Sequence, residues 1–251
     1  MIELPSADPA VLTAYNEWHR QMRDAGEPAS PLELSWYASI YNEIARYSGG
    51  KVLEIGCGRG SFALWLHQNA PQFSLTALDF SQSAIDIACE RAAKLPSSPL
   101  FVQGDAQALP FDDDSFDLIL SCECMEHVPD PRQMAREMAR VLRSGGGYCL
   151  TTPSQLNGMM LGWLHSWWKG KPYNSGAGVQ PHENFYFFWN VRRYLMQAGL
   201  TVERMESSTF QWLLLPGVAP HKLCTRRFRN PLAQKLAFPF GLHFSFFGRK
   251  L

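Results

Sequence analysis

The decapeptide KVLEIGCGRG, residues 51–60, decides the fold. Its first half, Lys51 to Ile55, is a short apolar run of the kind found in buried strands, and its second half has glycine at 56, 58 and 60. An amphipathic segment from Ser61 to Asn69 follows, so the pattern predicts a strand, a tight turn and a helix. Because glycine has no Cβ atom, the backbone of such a turn can bend sharply and lie against a ligand. This order of elements is typical of the first unit of a nucleotide-binding type of fold.

The glycine spacing separates two classes of turn. A dinucleotide fingerprint, G-x-G-x-x-G, requires glycine at position 61, where this chain has Ser61. The spacing therefore disfavours an NAD-dependent oxidoreductase. The glycines could also form a tight turn that binds no ligand. The segments that follow help to decide between a ligand-binding turn and a purely structural one.

The chain continues with alternating strand and helix patterns. Further strands are predicted at about 74–78, 99–102, 116–120, 148–152, 201–210 and 243–250. Helices are predicted at about 8–26, 32–47, 84–94, 131–142 and 187–198, with the glycines at 145–147 ending the fourth of these. Repeated units of this kind predict a Rossmann-like, doubly wound α/β sheet of seven strands. The sheet should be mostly parallel, with an antiparallel last strand because no regular helix precedes it.

The predicted units divide the chain into an N-terminal helical cap, residues 1–48, and an α/β domain, residues 49–251. Two insertions interrupt the domain at about 154–186 and 211–241. The first two helices either cap the ligand cleft or pad the edge of the sheet, and padding is the simpler interpretation.

The composition excludes several classes of protein. The 251 residues carry 23 basic and 23 acidic side chains, which argues against a chain-wide nucleic-acid surface. We expect no signal peptide, and no run approaches the roughly 18 apolar residues of a membrane-spanning helix. The cysteines lack paired C-x-x-C spacing, so we expect free thiols and a cytoplasmic location. They are Cys57, Cys89, Cys122, Cys124, Cys149 and Cys224.

Acidic residues follow the second and third predicted strands. Asp79 lies about twenty residues beyond the glycine turn, where a carboxylate can accept hydrogen bonds from ribose hydroxyls. Its alternative role is the N-cap of the next helix, although Ser81 can fill that role. Asp105, followed by Ala106, can accept from an adenine amino group, or it is an ordinary turn residue.

Residues 50–153 resemble the class I S-adenosylmethionine-dependent methyltransferases, in their small-molecule branch. The resemblance rests on E-x-G-x-G-x-G at 54–60, GDAQALPF at 104–111 and LRSGGGYCLTTP at 142–153. In that family the glycine turn cradles the methionine portion of the cofactor, and S-adenosylhomocysteine is the product. The resemblance implies cofactor contacts from Glu54, Gly56, Cys57, Gly58, Gly60, Asp79, Phe80, Asp105, Ala106 and Cys122.

The segment CECMEHVPDP, residues 122–131, resembles the ubiquinone-pathway O-methyltransferases, whose E-x-x-E-H stretch has been associated with a divalent cation. Here that stretch supplies Glu123, Glu126 and His127, which would share one face of a helical turn. Similar segments occur in metal-free relatives, so we expect no metal.

Methyl transfer to a hydroxyl benefits from a base with a pKa near neutrality, which histidine provides. The candidates are His127 and His182, and a structural histidine is the alternative for each. We expect a small, hydrophobic or aromatic acceptor that is methylated at a hydroxyl oxygen. Methylation at nitrogen or carbon and a catalytically silent cofactor-binding protein are the alternatives. An N-P-P-Y turn, typical of DNA-amino methyltransferases, is missing after the fourth strand.

The insertions combine aromatic and basic residues. The first has no acid before Glu183, and no acid follows Glu206. Such segments suit either a substrate lid or contact with an anionic membrane surface through 154–182 and 211–241. Both interpretations predict an apolar acceptor. The sequence does not indicate an oligomeric state.

Overall fold

The computed structural model describes residues 8–23, 30–156, 162–168, 181–209 and 230–251. The strands are β1 (Gly50–Ile55), β2 (Phe73–Asp79), β3 (Leu100–Gln103), β4 (Phe116–Cys122), β5 (Leu142–Pro153), β6 (Arg204–Ser208) and β7 (His243–Arg249). The helices are α1 (Pro9–Gln21), α2 (Ser35–Ile44), α3 (Ser61–Asn69), α4 (Gln82–Ala92), α5 (Pro131–Val141), α6 (Gly162–Trp168), α7 (Phe188–Gln197) and α8 (Pro231–Ala237). Short 3₁₀ turns span Pro31–Glu33, Met125–His127 and Phe238–Phe240.

The seven strands form one sheet in the order β3-β2-β1-β4-β5-β7-β6. Strands β1 to β5 pair in parallel, and β7 is antiparallel to both β5 and β6. The predicted fold class is therefore confirmed. The strand order changes direction between β1 and β4, and in open α/β sheets the ligand crevice lies beyond the carboxyl ends of such strands.

Apolar side chains cover both faces of the sheet. On β1, Val52 belongs to one buried cluster and its neighbour Leu53 to the other, as strand alternation requires. Helices α5 and α7 contribute to the cluster around Leu53, and α2 and α3 to the cluster around Val52. The sheet is thus a rigid support for the loops at its carboxyl edge.

Several element boundaries differ from the sequence prediction. Helix α1 ends at Gln21, and α5 ends at Val141 rather than at the glycines 145–147. Those glycines lie within β5, because Leu142 already pairs with Phe116 of β4. Strand β6 begins at Arg204, three residues later than predicted.

The insertions contain two helices that the sequence analysis missed. Helix α8 begins after Asn230, whose side chain accepts from the N–H of Leu232, and Pro231 occupies its first turn. An Asn-Pro pair is a recognisable helix start. Helix α6 lies in the first insertion. In the described part of the chain, no helix is long and apolar enough to cross a membrane.

Candidate active site

The glycine turn follows β1 and is held against β2. The N–H groups of Gly56 and Cys57 both donate to the carbonyl oxygen of Leu78, at 2.8 and 2.9 Å. Gly56, Gly58 and Gly60 all have positive φ, between 52° and 79°. A Cβ atom on Gly56 would lie 2.6 Å from Cys124 Sγ, whereas on Gly58 it would meet only His19 Cε1, at 3.8 Å. Packing therefore requires glycine at 56, and position 58 borders open space.

Asp79 ties this turn to the end of β2. Its Oδ2 accepts from the N–H of Gly58 at 2.7 Å, and its Oδ1 accepts from the N–H of Ser81 at 2.9 Å. The Ser81 hydroxyl caps α4 by accepting from the N–H of Ala84. Asp79 is thus not the cap of α4.

The cleft beyond these strands has a volume of about 650 Å³. It brings together most of the predicted site residues: Gly56, Cys57, Gly58, Asp79, Phe80, Asp105, Ala106, Cys122, Glu123 and His127. Four other predicted residues are described by the structure but do not line the cleft: Glu54, Gly60, Glu126 and His182. The buried Asp105 accepts from the N–H of Gln107 at 2.8 Å, which fixes the turn after β3.

The N-terminal helices also line the cleft, which the sequence analysis did not favour. Tyr15, Trp18 and His19 of α1 face it, together with Trp36 and Tyr37 of α2. The α1 residues share one helical face, since they are three and four positions apart. That spacing could have indicated, from the sequence, that these three residues lie on one side of the helix. Ile40 and Ile44 of α2 pack in the core, so this helix both pads the sheet and borders the cleft.

Glu54 lies in β1 beneath the turn and is 1% exposed. Its Oε2 is buried, and no residue in the described ranges forms a hydrogen bond with it. Burial, and then the charge of Asp79, raise the pKa of Glu54 to about 8. Glu54 lies below the cleft and is not one of the residues that line it. The resemblance, in contrast, implies a direct contact between Glu54 and the cofactor.

His127 also lines the cleft. Its Nδ1 lies 2.7 Å from the carbonyl oxygen of His182. Because a carbonyl can only accept, Nδ1 carries the proton and Nε2 of the neutral ring keeps its lone pair. Burial lowers the pKa of His127, which favours the neutral ring. The Tyr15 hydroxyl donates to the same carbonyl at 3.0 Å.

The two histidines therefore have different positions. The side chain of His182 pairs with Asn184, with Nε2 2.8 Å from Nδ2, whereas its backbone carbonyl orients His127. His182 thus meets the cleft wall through its carbonyl oxygen, and the imidazole of His127 is the one that lines the cleft.

The predicted metal-ligand face does not form. Glu123 has φ +49°, so the helical turn begins only after it, at Met125. Its carboxylate lies 3.5 Å from His243 Nε2, and Glu126 accepts from Thr152 at 3.1 Å. Burial raises the pKa of Glu123 to about 8 and also raises that of Glu126. Within the described ranges, no three His, Cys, Asp or Glu side chains are grouped to hold a metal ion.

Known proteins are similar to this chain in sequence and in fold. Residues 53–150 match the family described as Methyltransferase domain. The match covers 98 of the 251 residues, and over this stretch the chain is similar to the methyltransferase domain family. A phthiotriol/phenolphthiotriol dimycocerosates methyltransferase of Mycobacterium tuberculosis (strain ATCC 25618 / H37Rv) is 44% identical over 124 residues, 46% of this chain and 45% of that protein. The chain spans about half the length of the curated relatives it matches.

Solved structures agree with this methyltransferase fold. An S-adenosylmethionine-dependent methyltransferase of Thermotoga maritima aligns with a TM-score of 0.60 and 18% identity, over 94% of this chain and 93% of that one. The [4+2]-cyclase SpnF aligns with a TM-score of 0.60 and 19% identity, over 85% and 80%. At such identities the likeness concerns the fold alone.

The predicted family and its cofactor, S-adenosylmethionine, are confirmed at the level of the family. The narrower resemblance to the ubiquinone-pathway enzymes stays a prediction. The residues of the methyltransferase domain fit the cofactor, because a Cβ on Gly58 would project into the space beside the glycine turn and two acids follow the next two strands.

Proposed function

We propose that this protein transfers a methyl group from S-adenosylmethionine to a hydroxyl oxygen of a lipid-like acceptor, with His127 as the general base. The observation that carries the proposal is the position of His127. Its ring lines the cleft, and its Nδ1–H is fixed on the carbonyl of His182. The Nε2 atom is thereby left as the proton acceptor.

The cofactor would lie across the carboxyl ends of β1, β2 and β3. Asp79 would accept from the ribose hydroxyls, Asp105 and Ala106 would border the adenine, and the glycine turn would border the amino-acid end. When bound, the cofactor supplies an activated methyl group on a sulfonium centre. The protein then has to align the acceptor oxygen, and alignment alone contributes a large part of such rate enhancements.

His127 suits the proton-transfer step. The carbonyl of His182 holds its ring in one orientation and one tautomer. Tyr15 lies edge-on to the ring, with centroids 6.5 Å apart, and donates to the same carbonyl. The Nε2 atom of His127 lies 3.8 Å from Glu126 Oε1, which is beyond hydrogen-bond distance, so the neutral imidazole can accept the hydroxyl proton there as the oxygen attacks.

Two observations support a lipid-like acceptor. The relatives' name gives phthiotriol and phenolphthiotriol dimycocerosates as their substrates. The cleft is also walled by apolar side chains besides the cofactor-facing ones, among them Val11, Leu34 and Trp36.

The exposed face of α6 supports a further part of the proposal, that the enzyme binds its acceptor at an anionic lipid surface. Trp163, Leu164, Trp167 and Trp168 are between 50% and 69% exposed, and their spacing places them on one side of the helix. Lys169 and Lys171 follow in the sequence, and no acid lies between 154 and 182. Aromatic residues beside cations favour the interface of anionic membranes. The basic residues Arg226, Arg227 and Arg229 lie outside the described residues.

Replacement of the two histidines tests the role of His127. His127→Ala should lower the turnover number about 10²–10⁴-fold while S-adenosylhomocysteine binds normally. His182→Ala is the matched control, because its side chain is not among the described cleft-lining residues, and it should retain activity. In wild type, turnover should fall as pH falls through the lowered pKa of His127, below the ordinary value of 6.5. Equal turnover numbers of wild type and His127→Ala would show that His127 is not the general base.

Vesicle flotation tests the membrane contact. Wild type should float with phosphatidylglycerol vesicles at low salt, and Trp163→Ser/Trp167→Ser should not. Trp189→Ser serves as the control, because Trp189 is 52% exposed on a different helix, α7. If wild type stays in the soluble fraction, the membrane contact is wrong and the lid interpretation is left.

The alternatives have distinct outcomes in the same assays. The fold also occurs in a [4+2]-cyclase, so cofactor binding without methyl transfer to any acceptor would favour a protein that uses this fold for another purpose. Transfer to amines or activated carbons, but not to hydroxyls, would keep the methyltransferase and change the acceptor atom.

A further inference from the structure

Helix α1 is fastened to the cleft at two points. Asn16 Oδ1 accepts from the Ser81 hydroxyl at 2.8 Å and from the N–H of Ser83 at 3.1 Å, which attaches the helix to the start of α4. On the other side, the Tyr15 hydroxyl donates to the carbonyl of His182 at 3.0 Å. The helix therefore has a defined position across the cleft.

One helical turn further on, α1 places His19 over the glycine turn. His19 lines the cleft, is only 7% exposed, and has its Cε1 3.8 Å from the position of a Cβ on Gly58. The ring packs edge-on against Trp18, with centroids 4.7 Å apart. Its Nδ1 is buried and has no hydrogen-bond partner among the described residues. Such a buried polar atom is costly unless a ligand satisfies it.

The strand order indicates which part of the cofactor would reach His19. Asp105 follows β3 and Asp79 ends β2, and β1 with its glycine turn is the next strand in the sheet. A molecule with its adenine at β3 and its ribose at β2 therefore places its remaining end at β1. Burial lowers the pKa of His19; of its two charged neighbours, Asp79 raises it and Arg59, which also lines this end of the cleft, lowers it.

We propose that His19 is a cofactor-binding residue whose Nδ1–H donates a hydrogen bond to the carboxylate at the amino-acid end of S-adenosylmethionine. This inference rests on the proposed function. Asp79 is the anion already near His19 and is bound to the N–H of Gly58, whereas Arg59 adds a cation at this end of the cleft that favours the carboxylate. With its proton on Nδ1, the buried ring of His19 would donate to that carboxylate. Helix α1 would then serve as a cap that recognises the end of the cofactor farthest from the adenine.

The test compares two ligands by isothermal titration. S-adenosylhomocysteine has the carboxylate, and its decarboxylated analogue, 5′-S-(3-aminopropyl)-5′-thioadenosine, keeps the amine and lacks the carboxylate. His19→Phe should weaken the first ligand about tenfold or more and leave the affinity for the second unchanged within about twofold. His19→Asn, which retains a donor near the position of Nδ1, should restore most of the affinity. His67→Phe, in α3, is the control for losing a histidine away from the cleft.

The apo protein provides a second readout. Because Nδ1 has no partner within the part of the chain that the structure describes, His19→Phe should melt at the same temperature as wild type or higher. Equal affinity of His19→Phe and wild type for S-adenosylhomocysteine would overturn the inference, as would equal losses for the two ligands. If wild type fails to bind S-adenosylhomocysteine, the proposed function fails and this inference fails with it.

Discussion

Glu54→Gln is expected to change how the stability of this protein depends on pH. Glu54 is buried under the glycine turn with Oε2 unpartnered, and burial raises its pKa from 4.5 to about 8 in the folded state. The unfolded chain exposes this carboxyl, so it ionises there at its ordinary pKa. Between these two values the folded state binds the extra proton, and wild type therefore loses stability as pH rises through the window.

The expected magnitude follows from the size of the shift. Each pKa unit corresponds to about 1.4 kcal/mol, so the whole window is worth on the order of 5 kcal/mol. A Gln side chain does not titrate. The difference in free energy of unfolding, wild type minus Glu54→Gln, should therefore be constant below about pH 4.5 and fall steadily up to about pH 8. Groups that titrate equally in both proteins cancel in this difference.

Urea unfolding at a series of pH values measures this difference. Glu137→Gln is the control with the opposite sign, because the hydrogen bond from Arg140 lowers the pKa of Glu137. That variant should lose most stability above the ordinary carboxyl pKa and recover relative to wild type in acid. A flat wild-type-minus-Glu54→Gln curve between pH 5 and pH 8 would show that Glu54 is ionised and satisfied in the folded protein, contrary to the structure.

Three further predictions concern the cofactor site. Gly58→Val should lose S-adenosylhomocysteine binding, since its side chain would enter the cleft beside His19, and its positive φ adds backbone strain. Gly56→Val has the same kind of strain and also collides with Cys124, so it should lower the melting temperature more; titration and thermal melts distinguish the two. Asp79→Ala should weaken cofactor binding at least tenfold and also lower the melting temperature, because two backbone N–H groups lose a charged acceptor; an unchanged affinity would exclude the ribose contact. Activity should survive exhaustive EDTA treatment, and loss that is restored by Mg²⁺ would show that a metal is used.

Local patterns predicted most of the fold. The run Lys51 to Ile55 and the glycines after it gave the first strand and turn correctly, because backbone conformation there depends on neighbouring residues. The Ser81 cap was also predicted correctly, since a capping hydroxyl acts on its own helix. The start of β5 was wrong because Leu142 pairs with a distant strand, which a local pattern does not reveal.

The site was less predictable where contacts join distant parts of the chain. The prediction that Glu123 and Glu126 share a helical face required regular helix at both residues. Glu123 has a positive φ instead, which is uncommon for glutamate and could not be predicted from its residue type. The different surroundings of His127 and His182 arise from one carbonyl oxygen that also receives a hydrogen bond from Tyr15, 167 positions away in sequence. The place of His19 over Gly58 likewise depends on how α1 packs on α4.

The central claim is methyl transfer from S-adenosylmethionine to a hydroxyl of a lipid-like acceptor. Its most direct test is incubation with methyl-tritiated S-adenosylmethionine and a panel of long-chain alcohols and alkylphenols, presented with and without anionic vesicles. The account predicts label in the organic phase as a methyl ether, strongly reduced in His127→Ala and retained in His182→Ala. Binding of S-adenosylhomocysteine without labelled ether from any acceptor, or labelled product only from amines, would contradict it.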